Sequence, residues 1–195
     1  MNTSSTTHDP GALRASLAFA FVILLGMGLL YSLAGTAIGR SLFPQQATGS
    51  MVTHDGIQVG SSLVAQPFAD ARYFQPRPSA AGYNPMSAAG SNQARTNPDL
   101  RKRIDEATAA VATRDGIAAQ EVPGELVTQS GGGLDPDLSP AGAQVQIARV
   151  AAARNLAPEK VAQLVASHTH GPQFGLLGKP RVNVLELNLA LDAKE

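Results

Sequence analysis

The sequence has no cysteine and no tryptophan, and its charges cancel, fifteen lysines and arginines against fifteen aspartates and glutamates. Without cysteine there are no disulfide staples and no thiol-based metal or redox chemistry. Without a basic excess there is no field to draw in nucleic acid or an anionic surface. Several catalytic patterns are also missing. There is no GxxxxGK[ST] phosphate loop, no GxGxxG, no His-Glu-x-x-His, no Gly-x-Ser-x-Gly elbow and no Asp-Lys-Thr-Gly. The residues therefore offer no visible catalytic constellation.

What stands out is Ala15 to Ile38, an uncharged apolar run bracketed by Arg14 and Arg40. As a helix it would reach about 36 Å at about 1.5 Å per residue, enough to cross a hydrocarbon core of about 30 Å. A cleaved signal peptide is the rival reading, with Arg14 as its basic flank and Ser32-Leu33-Ala34 as a small-x-small site. Signal cores are usually about 7–15 residues, so a retained anchor is expected. A buried helix would keep a polar face, and this run has none. The expected organisation is a short tail over residues 1–14, a transmembrane helix over 15–38 and one soluble domain over 41–195. Met1–Leu13 is Ser/Thr-rich and reads as unstructured. Lysine and arginine counts beside the span tie, Arg14 against Arg40. A short leading tail favours a cytoplasmic N-terminus and an extracytoplasmic C-terminal domain. Within the run Gly28, Ser32 and Thr36 recur every fourth residue, beside a Gly35/Gly39 pair. That spacing offers a groove for a partner helix.

Beyond the run, nineteen glycines and thirteen prolines in the whole chain predict a loop-rich fold without low complexity. Alternation predicts strands at Ile57–Val64 and, most clearly, at Arg181–Leu191, with a shorter one at Val122–Thr128. Ser79–Pro98 reads as an ordered surface loop pinned by Tyr83. Asn97-Pro98-Asp99 starts a helix, with Leu100, Ile104, Ala107 and Val111 inward, and Asp115-Gly116 ends it. Ser139-Pro140 starts a second helix and Pro158 a third. The fold class expected is α+β or α/β, tethered by one N-terminal transmembrane helix.

Two clusters are candidates for chemistry. Gln129, Ser130, Gly131, Gly132 and Gly133 form a glycine-rich loop whose amides could converge on an anion. A tight structural turn is the simpler reading, and Asp135 and Asp137 nearby would repel an anion. His168-Thr169-His170 could supply metal ligands or a general base. The competing reading is a polar helix end that suits imidazoles. The three basic residues Arg101, Lys102 and Arg103 read as a solvated helix face.

Read together, the blocks GSSLVAQPF (60–68), YFQPRPSA (73–80), Gly90-Ser91-Asn92, Asn97-Pro98, LVTQSGGGLDPDLSP (126–140), Arg149-Val150-Ala151 with Ala153-Arg154, and VNVLELNL (182–189) resemble the KdpC family. These are the C subunits of the bacterial high-affinity potassium-transporting ATPase. Gln93-Ala94-Arg95 departs from the family pattern, which has a Leu-Gly-Pro-like run there. The resemblance implies a non-catalytic, single-span subunit of a four-part plasma-membrane complex. Its partners would be a potassium-channel-like subunit, a P-type ATPase subunit and a small membrane peptide. It further implies a catalytic chaperone that raises the ATPase subunit's affinity for ATP, with Gln129–Gly133 touching nucleotide. That contact conflicts with an extracytoplasmic domain. Helix docking would fall to Gly28, Ser32, Gly35, Thr36 and Gly39, and Asp135 and Asp137 could concentrate cations at an extracellular entrance. No cofactor or metal of its own is expected. The alternatives are a membrane-anchored enzyme using His168 or His170 and a nucleotide-sensing regulator using Ser130–Gly133.

Overall fold

In the computed structural model, which describes residues 10–193, the apolar run lies inside one helical rod, Gly11–Leu42. It follows α1 (Pro10–Ile23) from its second residue, then a π-helical segment (Leu24–Leu30) and α2 (Tyr31–Leu42). Residues 10–13, expected to be unstructured, open this helix, because nothing between Pro10 and the apolar run breaks it; residues 1–9 lie outside the described part. At about 48 Å for 32 residues the rod exceeds a bilayer core. Phe43 leaves helical geometry before Pro44, which opens the short α3 (Pro44–Ala47). Leu17, Phe19, Phe21, Leu24 and Leu30 are all exposed.

The chain divides at Ser50/Met51 into two compact units. The second opens with a hairpin of β1 (Met51–His54) and β2 (Ile57–Ser61). Its turn, Asp55-Gly56, takes positive φ at both residues, as a two-residue hairpin loop requires. The strand expected from Ile57 thus ends at Ser61, and its partner β1 went unread although Asp-Gly marks the turn. Tyr83 holds the long loop after it as expected, its hydroxyl donating to the Arg77 carbonyl at 3.0 Å.

Helix α4 (Pro98–Asp115) starts and ends where the sequence predicts. The Asn97 side chain accepts the Asp99 amide at 2.8 Å, and Gly116 caps at φ 67°. Val122–Thr128 is not a strand. Pro123 has no amide to pair and the chain coils through a turn at Gly124–Leu126. The Thr128 hydroxyl and amide both donate to the Gly124 carbonyl, at 2.6 and 2.9 Å. After β3 (Asp137–Leu138), the Ser139-Pro140 start yields two short helices, α5 (Pro140–Gln144) and α6 (Ile147–Ala153), and then comes α7 (Pro158–Ser167). Ala143, Ile147, Val150 and Ala151 are buried as expected.

The largest correction concerns Arg181–Leu191. Only β5 (Arg181–Asn183) is extended; Val184–Asp192 is helix α8. The Asn183 side chain accepts the Glu186 amide at 3.1 Å and starts the helix. The same segment that alternates by twos also places Val184, Leu187, Asn188 and Leu191 on one helical face, and all four are buried. A three-stranded antiparallel sheet, ordered β3-β5-β4 with β4 at Thr169–His170, lies beside the helices. The core joins Phe74, Val150, Val161, Val182 and Leu187. The fold is α+β, with one N-terminal helix apolar and long enough to span a membrane.

Candidate functional site

The glycine-rich loop lies against the Ser79–Gly90 loop, and the contact explains the glycines at 133 and 90. The Ser130 amide donates to the Pro78 carbonyl at 3.2 Å, and the Ser79 hydroxyl donates to the Gly133 carbonyl at 2.6 Å. The same hydroxyl oxygen accepts the amides of Ala81 and Tyr83. A Cβ at Gly90 would stand 2.6 Å from the Gly131 carbonyl oxygen. One at Gly133, where φ is 73°, would stand 2.9 Å from the Ala89 carbonyl oxygen. Two backbones thus meet where no side chain fits. The loop does not open directly into a helix, since β3 intervenes before Pro140. Gly131 and Gly132 are exposed at its apex, while the Gln129 Oε1 atom is buried with no hydrogen-bond partner among the described residues.

Asp135 and Asp137 do not form an open acidic cluster. Asp135 pairs with Arg77 at 2.7 Å and accepts the Asp137 amide at 3.2 Å. Asp137 faces Arg181 at 3.3 Å and Asn183 at 3.4 Å. Its carboxyl is held above the usual carboxylate range, first by burial and then by Asp135 and Glu186, with Arg181 and Asn183 acting the other way.

The two histidines have separate roles. His168 ends α7, its amide and its Nδ1–H both donating to the Leu164 carbonyl, at 3.1 and 2.9 Å, beside the Ser167 hydroxyl at 2.9 Å. His170 lies on β4 with its Nε2 3.8 Å from Glu186. Among the described residues no three His, Asp or Glu side chains are gathered as a metal site.

On the apolar helix, Gly28, Gly35 and Gly39 leave open space where a Cβ would stand. The Thr36 hydroxyl donates to the Ser32 carbonyl at 2.9 Å, which removes its polar group from the helix surface.

Two features were not read from the sequence. The first is a clamp on the extended segment at Phe74 and Gln75. The Asn188 side chain accepts the Phe74 amide at 2.8 Å and donates to the Phe74 carbonyl at 3.0 Å. Gln146 does the same for Gln75, at 2.8 and 3.1 Å. Arg149 locks the clamp, donating to Asp115 at 2.7 Å, to Gln146 at 2.7 Å and to the Tyr73 carbonyl at 2.9 Å. Burial lowers the pKa of that guanidinium and Asp115 opposes the shift. The second is an exposed tip at Phe174–Leu177, whose only sequence signal was apolar residues inside a Gly/Pro loop.

Residues 13–193 match the family model described as KdpC, the c chain of the K+-transporting ATPase. The chain is 65% identical over 192 residues to the potassium-transporting ATPase KdpC subunit of Xanthomonas campestris pv. campestris, covering 98% of this chain and 92% of that one. It is 51% identical over 180 residues to the same-named subunit of Kineococcus radiotolerans, covering 91% of each. It is 47% identical over 190 residues to that of Shewanella putrefaciens, covering 97% and 94%. The match takes in the apolar helix and the folded unit alike, and the chain belongs to the KdpC family, the c chains of the K+-transporting ATPase.

Proposed function

We propose that this chain is the non-catalytic subunit of an ATP-driven potassium-uptake complex in the plasma membrane. It crosses the bilayer once through α1–α2, with its N-terminus in the cytoplasm and its folded unit outside. The helix docks on the channel-like subunit through Gly28, Ser32, Gly35, Thr36 and Gly39, where small residues let another helix approach closely. The other partners are the P-type ATPase subunit and the small membrane peptide. The subunit assembles and stabilises the complex and acts as a catalytic chaperone that raises the ATPase subunit's affinity for ATP. The observation that carries this reading is the family match, which runs from residue 13 to residue 193 and leaves neither unit outside it.

ATP contact by Gln129–Gly133 belongs to a second reading, in which the folded unit is cytoplasmic. The exposed apex at Gly131 and Gly132 supports it. The contact with the Ser79–Gly90 loop supports a structural role for Gly133 in the same loop. Compartment separates the two readings.

The test is gentle detergent extraction through a tag at Glu195, with the co-purifying chains identified. A P-type ATPase subunit and a large channel-like subunit in fixed ratio support the proposal. Recovery of this chain alone, stable and monodisperse, sinks it. A reporter fused at Glu195 that works only outside the membrane removes the nucleotide reading.

A further inference from the structure

Between β4 and β5 the chain projects a short, well-fastened tip. The Gln173 amide donates to the Leu177 carbonyl at 2.7 Å and the Leu177 amide to the Gln173 carbonyl at 2.9 Å. Phe174, Gly175 and Gly178 take positive φ to close the turn. This built conformation displays large apolar side chains. Phe174 is 84% exposed, Leu176 86% and Leu177 61%. Exposed apolar clusters on a soluble surface mark places where something else sits.

The charge around the tip indicates its occupant. From His168 to Pro180 there is no aspartate or glutamate. Lys179 is exposed and forms no ion pair among the described residues, and Arg181 adds a second cation, one that also faces Asp137 at 3.3 Å. On the far side His170 stands 3.8 Å from Glu186. Apolar side chains at a tip with cations behind them match the boundary between acyl chains and anionic headgroups. The aliphatic stem of Lys179 suits it to that boundary. The chain also supplies a bilayer, since only residues 43–50 separate the apolar helix from the folded unit.

We propose that the Gln173–Gly178 tip enters the interface of the membrane that holds the helix. Phe174, Leu176 and Leu177 meet the acyl edge, and Lys179 and Arg181 meet anionic headgroups. This rests on the membrane-anchor reading above, and the two can fail separately.

The absence of tryptophan allows a direct test. The full chain carrying Phe174→Trp is reconstituted into vesicles of phosphatidylethanolamine and phosphatidylglycerol, with and without lipids brominated near the headgroup. A second chain, carrying Tyr31→Trp, reports on the helix. The expected result is blue-shifted emission, quenched by bromine, at both positions. Lys179→Ala in the Phe174→Trp chain lowers the inserted fraction about fivefold, as expected for one cation at an anionic surface. Leu176→Asp with Leu177→Asp abolishes quenching at position 174. Quenching at position 31 with none at position 174 overturns the proposal and spares the anchor. No quenching at either position overturns both. If position 174 shifts to the blue only when the other subunits are present, and without quenching, the occupant is a protein and the proposal is wrong.

Discussion

Asn188 allows a prediction whose sign changes with pH. Its side chain is fully buried and satisfies both backbone groups of Phe74. Asn188→Asp keeps the shape and keeps the acceptor for the Phe74 amide. It replaces the donor with an oxygen aimed at the Phe74 carbonyl, 3.0 Å away in the parent. Protonated, the new carboxyl can donate to that carbonyl and restore both bonds. Ionised, it is a buried charge facing a carbonyl dipole, which raises its folded pKa above the unfolded value of about 3.9. Below that value the variant is nearly as stable as the parent. As pH rises through the folded pKa, stability is lost. A shift of about 3 units, ordinary for a buried carboxyl, corresponds to about 4 kcal/mol at neutral pH. Asn188→Leu has no titrating group. It strands a buried donor and acceptor at about 1–3 kcal/mol each, offset by about 1–2 kcal/mol of apolar burial, so its loss, about 2–3 kcal/mol at the middle of those ranges, is the same at every pH. The assay is urea unfolding of the full chain in detergent across the acid and neutral range, with hydrogen exchange at the Phe74 and Gln75 amides as the local readout. If the difference between Asn188→Asp and the parent stays constant with pH, the clamp is not what holds this segment.

Three further outcomes follow from the same geometry. Gly133→Ala, which sets a Cβ 2.9 Å from the Ala89 carbonyl oxygen at φ 73°, should cost about 1–3 kcal/mol and lower the thermal midpoint. Asp115→Ala leaves Arg149, bound to Asp115 at 2.7 Å, without its buried counterion. It should cost about 3–5 kcal/mol in urea unfolding; a loss under about 1 kcal/mol would refute the pairing. Asp137, whose folded pKa is raised mainly by burial, carries a penalty that is absent in acid and grows as pH rises past its unfolded value, so Asp137→Asn should gain on the parent between acid and neutral pH.

The parts that could be read from sequence were those fixed by neighbours. Asn97-Pro98-Asp99 and Asp115-Gly116 bound a helix through side chains within three residues of each end. The apolar run declares itself by length alone. Arg181–Leu191 misled because two periods fit the same leucines, and the deciding local signal, Asn183 with Glu186 three residues on, was weaker than the alternation. The clamp was out of reach for a different reason. Asn188 and Phe74 are 114 residues apart, and Gln146 and Gln75 are 71 apart. No local rule says which amide will stand in for a strand partner.

The glycine-rich loop shows how composition can suggest more than geometry delivers. A run of glycines raises the idea of an anion cradle, because bare backbone can wrap a phosphate. A second requirement also selects glycine: where two backbones touch, a residue whose Cα faces the other chain's carbonyl must lack Cβ. Here a Cβ at Gly90 would meet the Gly131 carbonyl and one at Gly133 the Ala89 carbonyl, and hydrogen bonds at Ser79 and Pro78 fasten the contact. The two explanations differ at Gly131 and Gly132, which are exposed and have nothing within 4 Å of where a Cβ would stand. Gly132→Ala should therefore leave folding unchanged. If the loop is purely structural, the assembled complex should also keep its apparent affinity for ATP. A loss of that affinity in the folded, assembled variant would show that the apex serves nucleotide, and would move the folded unit to the cytoplasmic side.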